Sequence, residues 1–250
     1  MAAGKLTPRQ RMINMMYLVL TALLALNVSK EIINAFVTVD ESLRVSNSNV
    51  DDKNKKTYAD FARAMQQDPK KYEGVNKQSS NIKKASDDLV AYLKNIKDSL
   101  VIKADGIKPG QPVPDLRDMA AKDNWDIPTM MMCGSANDGR GFKGSELKNR
   151  LEEYKKLVLA NMPKDAETQK KFGADLAGLL NTSDPDPNST EYKEDKKRTW
   201  EMSKFYHNPV VAVASILTKF QGDIRNAESH SIDYLFSSLD ANIVKMNRFE

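Results

Sequence analysis

The run RQRMINMMYLVLTALLALNV, residues 9–28, sets the organisation of this chain. No charged residue occurs over 12–28, about 17 positions, which at ~1.5 Å of rise per residue is the lower limit for crossing a hydrocarbon core. The run is apolar on every face, whereas the chain as a whole is polar, with a mean hydropathy of −0.56. A buried helix of a water-soluble bundle fits that contrast poorly, and the run predicts a membrane-spanning helix over 12–28. A secretory signal also has a basic start and an apolar centre. Its cleavage site needs a small-x-small pair, and Ala25 is followed by Leu26 and Asn27, so an uncleaved anchor is expected.

Reading outward, Thr7 is a helix cap and Pro8 suits a first helical turn, which places Arg9 inside the helix. Downstream, Ile32, Phe36, Val39 and Leu43 recur at spacings of four, three and four. That stripe predicts that the same helix leaves the membrane and continues to about Asn47, presenting a bundle or dimer seam. Lys5, Arg9 and Arg11 precede the span and no acid occurs before Glu31. The positive-inside rule then places residues 1–11 as a cytoplasmic lead, 12–28 as the span and 29–240 as a helical bundle in a periplasm-like compartment.

Within that bundle, Ser46-Asn47-Ser48-Asn49 reads as a breaker. A second helix is expected over 54–67, with Asp68-Pro69 ending it. The clearest helix is 72–100, with Val75, Ile82, Ala85, Leu89, Leu93, Ile96 and Leu100 on one side and Lys94, Lys97 and Asp98 off the stripe and solvated. Glycines and prolines break up 101–144, where Trp125, Ile127 and Met130, Met131 and Met132 are expected to pack onto the bundle, with any strand confined to this segment. Helices follow over 145–161 and 165–180. After an exposed 181–190 connection, a charged helix is expected through Lys197, and a final helix restarts at Asn208-Pro209 and crosses Glu228-Ser229-His230-Ser231. The fold class is all-α. Residues 241–250 show no domain-ending signal and are expected to open a linker to further domains.

Composition narrows the function. With 38 basic and 34 acidic residues the surface is mixed, and basic residues do not cluster with aromatics as nucleic-acid binding requires. Cys133 is the lone cysteine, so no intrachain disulfide forms. His207 and His230, the only histidines, sit in separate segments, so no metal site is expected, and the methionine run lacks converging soft donors. His207 reads as a helix-start residue, and 139–144 as a glycine-rich surface turn without phosphate-loop spacing. No hydrolase or nucleotide-binding motif marks an enzyme, and no cofactor is implied.

The opening Gly4-Lys5-Leu6-Thr7-Pro8-Arg9-Gln10-Arg11-Met12-Ile13-Asn14-Met15-Met16-Tyr17-Leu18-Val19, followed by Leu24-Ala25-Leu26-Asn27-Val28-Ser29-Lys30-Glu31, closely resembles the N-terminus of the GldM/PorM family. These are inner-membrane subunits of the Bacteroidetes gliding and type IX secretion motor. The match includes polar residues at fixed places in the span, and Asn14, Tyr17, Thr21 and Asn27 are the expected transmembrane interface. The resemblance implies an all-helical first periplasmic domain, followed in longer members by β-sandwich domains that reach outer-membrane secretion components. It implies a homodimer inside a pentameric ring of a multi-span partner, GldL or PorL, that turns proton flow into mechanical work, expected as rotation.

The flagellar stator, ExbB–ExbD and TolQ–TolR are analogues whose single-span subunit carries a titrating Asp. This chain departs from them, since no acid precedes Glu31. The resemblance therefore assigns the proton-carrying acid to the partner, paired with Arg9. A membrane-anchored periplasmic scaffold or sensor without energy coupling is the other reading, and the requirement for Arg9 separates the two.

Overall fold

The computed structural model describes residues 7–135 and 138–246, with the backbone alone at 22–29 and 238–246. All regular structure among the described residues is helical. The elements are α1 (Pro8–Gln67), α2 (Pro69–Asp105), α3 (Asp126–Pro128) running on into a π-helical turn at Thr129–Cys133, α4 (Lys143–Asn161), α5 (Ala166–Leu179), α6 (Thr190–Lys193), α7 (Trp200–Phe205) and α8 (Val210–Met246).

α1 begins as its sequence dictates. The Thr7 hydroxyl accepts from the Gln10 amide, the Gln10 side chain accepts from the Thr7 N–H at 3.0 Å, and Pro8 occupies the first turn. It does not stop where expected. The 46–49 cluster is helical, and α1 absorbs the separate helix expected over 54–67, giving 60 residues in one element. The reason is tertiary. Asn47 and Asn54 donate their side-chain amides to the Thr218 and Arg225 carbonyls of α8, at 2.8 and 3.0 Å. An amide that would otherwise compete with the local backbone has a partner across the interface. Asp68 then ends α1 and caps α2, accepting from the Lys71 N–H at 3.2 Å. α2 outruns its expected end and stops at Gly106, whose φ of 65° suits a residue without Cβ.

α8 follows Pro209. Its Val210 and Val211 N–H groups donate to the Asn124 and Lys122 carbonyls at 2.8 and 3.2 Å. It crosses the polar 228–231 stretch without a break, with Glu228, Ser229 and Ser231 buried and His230 exposed.

The partners along α1 and α8 advance together: Phe36 with Ser215, Asp40 with Thr218, Asn54 with Arg225, and Phe61 edge-on to Phe236 at 4.7 Å. The two helices are therefore parallel neighbours. α2 runs back against both, and α4 runs antiparallel to α2, with the Ser86 and Tyr154 hydroxyls 2.9 Å apart. The core holds Leu89, Leu93, Ile96 and Leu100 of α2, Leu147, Leu151 and Val158 of α4, and Val213, Leu217 and Ile224 of α8. The α2 residues are the face that its apolar spacing marks.

Several expectations need correction. Lys97 is not solvated, because its chain crosses to the buried Asp40 of α1, 3.5 Å away. Trp125 and Met130 do not pack inward; they remain 47% and 56% exposed, while Met132 alone of the methionine run is fully buried. The charged helix after Glu191 ends at Lys193, and Lys196 has a φ of 57°, outside helical geometry. His207 precedes α8 in a loop with a φ of 54° and starts no helix. Among the described residues no helix is long and apolar enough to cross a membrane. Residues 22–29, the latter part of the expected span, are helical in backbone, and their side chains lie outside the described residues.

Candidate functional site

The first turns of α1 carry the residues singled out from sequence. Arg9, Asn14, Tyr17 and Thr21 all lie on this helix and all are exposed; the Asn27 side chain lies outside the described residues. Asn14, Tyr17 and Thr21 follow one another at three and four residues and share a face. Arg9 stands off that face by roughly 80–140°, at ~100° of turn per residue. The structure thus separates Arg9 from the polar stripe rather than grouping them. The Thr21 hydroxyl donates to the Tyr17 carbonyl at 2.7 Å, which satisfies it within the helix. On the remainder of the helix Met12, Met15, Met16, Leu18 and Leu20 are exposed, each to 60–69%. A helix exposing so many large apolar side chains offers an interaction surface for an apolar partner or environment.

Further along α1, the seam with α8 is polar and buried. Asp40, Asn47, Asn54 and Phe61 recur every seven residues, and each meets α8. Asp40 has no exposed surface and accepts from the Thr218 hydroxyl at 2.5 Å. Lys97 Nζ donates to the same hydroxyl at 2.9 Å. Arg44 bridges outward, with Nε 3.0 Å from Asp40 and Nη1 2.7 Å from Asp115. Burial lowers the Lys97 pKa below the usual lysine value, and Asp40 offsets part of that. The hydrogen bond from Arg44 is the main force holding the Asp115 carboxyl below the usual range. Gly222 lets the helices close, since a Cβ there would collide with the Asn47 side-chain oxygen.

A second cluster centres on Arg225. Its guanidinium lies 3.1 Å from Asp51 of α1, 2.7 Å from Asp87 of α2 and 2.8 Å from Glu228 of its own helix. Glu228 also accepts from the Tyr58 hydroxyl of α1 at 2.9 Å. Burial pushes the Glu228 carboxyl above the usual range, against the pull of Arg225. These groups join α1, α2 and α8 into one body. The seam's sequence signal is the seven-residue recurrence of Asp40, Asn47 and Asn54, which a turn-forming reading of 46–49 hides.

No group of His, Cys, Asp and Glu suited to a metal ion occurs among the described residues. Cys133 is buried against the Glu201 carbonyl, and burial pushes its thiol up to about 12.

The family described as GldM N-terminal domain matches residues 31–238, from the exposed Glu31 of α1 through nearly all of the bundle. No curated protein matches the chain. The match spans well over half of the chain, and the chain therefore belongs to the GldM family, components of the gliding-motility and type IX secretion machinery.

Proposed function

We propose that the chain is the single-span, energy-coupling subunit of a proton-driven motor in the inner membrane. In this reading the N-terminus is cytoplasmic, residues 12–28 span the bilayer and the bundle is periplasmic. Two parallel copies work inside a ring of GldL/PorL-like subunits and pass mechanical work towards outer-membrane secretion components. The observation that carries this reading is the continuity of α1. At ~1.5 Å per residue its 60 residues extend about 90 Å, so the apolar segment led by Arg9 and the seam of the bundle are one stiff element.

Arg9 supplies the coupling step. A guanidinium stays protonated at any accessible pH, so it cannot carry the proton. It holds a facing carboxylate of the partner ionised, and loses its hold when that acid is protonated from the proton pathway. Two copies inside an odd-numbered ring cannot both face equivalent acids. Each protonation therefore favours movement to the next acid, and α1 carries that movement into the bundle.

Arg9→Ala tests this. Secretion is expected to fail while protein level and co-purification with the multi-span partner stay near normal. Arg9→Lys is also expected to be impaired, because bidentate pairing is lost, and Arg11→Ala to be milder. Near-normal secretion by Arg9→Ala would leave Arg9 as a topology signal reaching the headgroups, and would favour an anchored scaffold without energy coupling.

A further inference from the structure

We propose that the cleft between the π-helical turn and the loop entering α8 is a binding site for an acidic peptide segment carrying an aromatic residue. The cleft has a volume of about 580 Å³ and is lined by Trp125, Asp126, Met130, Lys196, Arg198 and His207, among others. Nothing in the proposed motor step uses it.

Three observations converge on it. The first is backbone geometry. Lys196 and His207, at φ 57° and 54°, are the non-glycine residues with positive φ among those described, and both line this cleft. Each such residue carries backbone strain, which tends to cluster at ligand sites. The π-helical turn, a second irregularity associated with functional sites, contributes Thr129 and Met130 to the same wall.

The second is the aromatic shelf. The Trp125 and His207 rings stack with centroids 4.6 Å apart and planes at 26°. The shelf is locked from behind: the His207 N–H donates to the Thr129 hydroxyl at 3.0 Å, and that hydroxyl donates to the Trp125 carbonyl at 2.6 Å. Trp125 and Met130 are thus held half-exposed by a fixed frame, which suits them to receive an aromatic or apolar side chain.

The third is charge. Lys196 and Arg198 are exposed and have no carboxylate partner among the described residues, against the single acid Asp126 in the lining. The Arg198 guanidinium rests 5.6 Å from the Tyr192 ring centroid. Another cleft, near Arg44 and about 480 Å³, has the opposite character. There Arg44 is paired with Asp115, Lys97 with Asp40 and Lys94 with Asp98, so its cations are already neutralised. Of the two, the first cleft combines unpaired cations with an open aromatic face, and an aromatic side chain flanked by carboxylates matches both.

The full chain in detergent provides the test. The chain has two tryptophans, and Trp200 is buried, so a ligand on Trp125 reads directly in emission. The probes are acetyl-Glu-Phe-Glu-amide, its neutral counterpart acetyl-Gln-Phe-Gln-amide, and N-acetylphenylalanine, with calorimetry in parallel. The acidic peptide is expected to bind saturably and to shift Trp125 emission. Affinity is expected to fall about tenfold for the neutral peptide and for the Lys196→Gln/Arg198→Gln double variant, whose thermal midpoint stays unchanged. Calorimetric binding is expected to be lost in Trp125→Ala. N-acetylphenylalanine binding more tightly than the acidic peptide would overturn a peptide segment in favour of a free aromatic acid. No saturable response to the acidic peptide, or equal affinity in the double variant, would overturn the site.

Discussion

Asp40 shows how a single residue decides the seam. It is wholly buried, and Thr218, Lys97 and Arg44 converge on its two oxygens. Asp40→Ala leaves Lys97 without its carboxylate in a buried seam, where an uncompensated charge costs about 3–5 kcal/mol, while Arg44 keeps Asp115. The expected outcome is a fall of that order in urea stability, and Asp40→Asn, which keeps a hydrogen-bond acceptor, is expected to cost less. Asp115, at the outer end of the same chain of charges, reports through pH. The Arg44 hydrogen bond lowers its folded pKa. Its contribution is therefore present above the ordinary Asp value of about 3.9 and is lost as pH falls through the lowered value. Asp115→Asn is expected to make the decline of the urea midpoint between about pH 5 and pH 2 shallower than in the parent chain. A decline of unchanged steepness would show that the pair contributes nothing in solution. Of Asp40's partners only Arg44, one turn on along α1, follows from spacing; Lys97 and Thr218 lie on α2 and α8, which the sequence of one helix does not reveal.

At the scale of elements, apolar periodicity predicted α2, α4 and α5, because their stripes at three and four residues are the faces they bury. It failed where polar side chains make the interface. The asparagines of 46–49 carry local turn preference, while the partner of Asn47 is 171 residues away. α7 escaped notice because six residues are too few to show a period, although Thr199 caps it and Trp200 anchors it in the core through a 2.9 Å bond to the Asn181 carbonyl. The continuity of α1 has a direct solution signature. Backbone amides at 46–49 are expected to exchange with deuterium as slowly as those of the flanking turns. Rapid exchange confined to those four positions would restore the hinge that local preference suggests and break the stiff connection.

At the scale of the whole molecule, the proposed motor places α1 in two environments. Its N-terminal turns expose large apolar side chains beside the Asn14, Tyr17 and Thr21 stripe, and its later turns are fastened to α8 and α2 by Asp40, Asn47, Asn54 and the Arg225 cluster. In the proposed motor, force applied near Arg9 is carried to the bundle along this helix. The joint between the two environments lies at Lys30 and Glu31, both exposed. The direct measurement is secretion by a strain whose chain carries Gly-Gly-Ser inserted between Lys30 and Glu31, with co-purification of the multi-span partner as the control for assembly. A flexible insert there interrupts the helix and leaves the bundle and the Arg9 segment unchanged. If α1 transmits work, secretion is lost while co-purification persists. Near-normal secretion with the insert in place would contradict transmission through α1 and leave the chain an anchored scaffold.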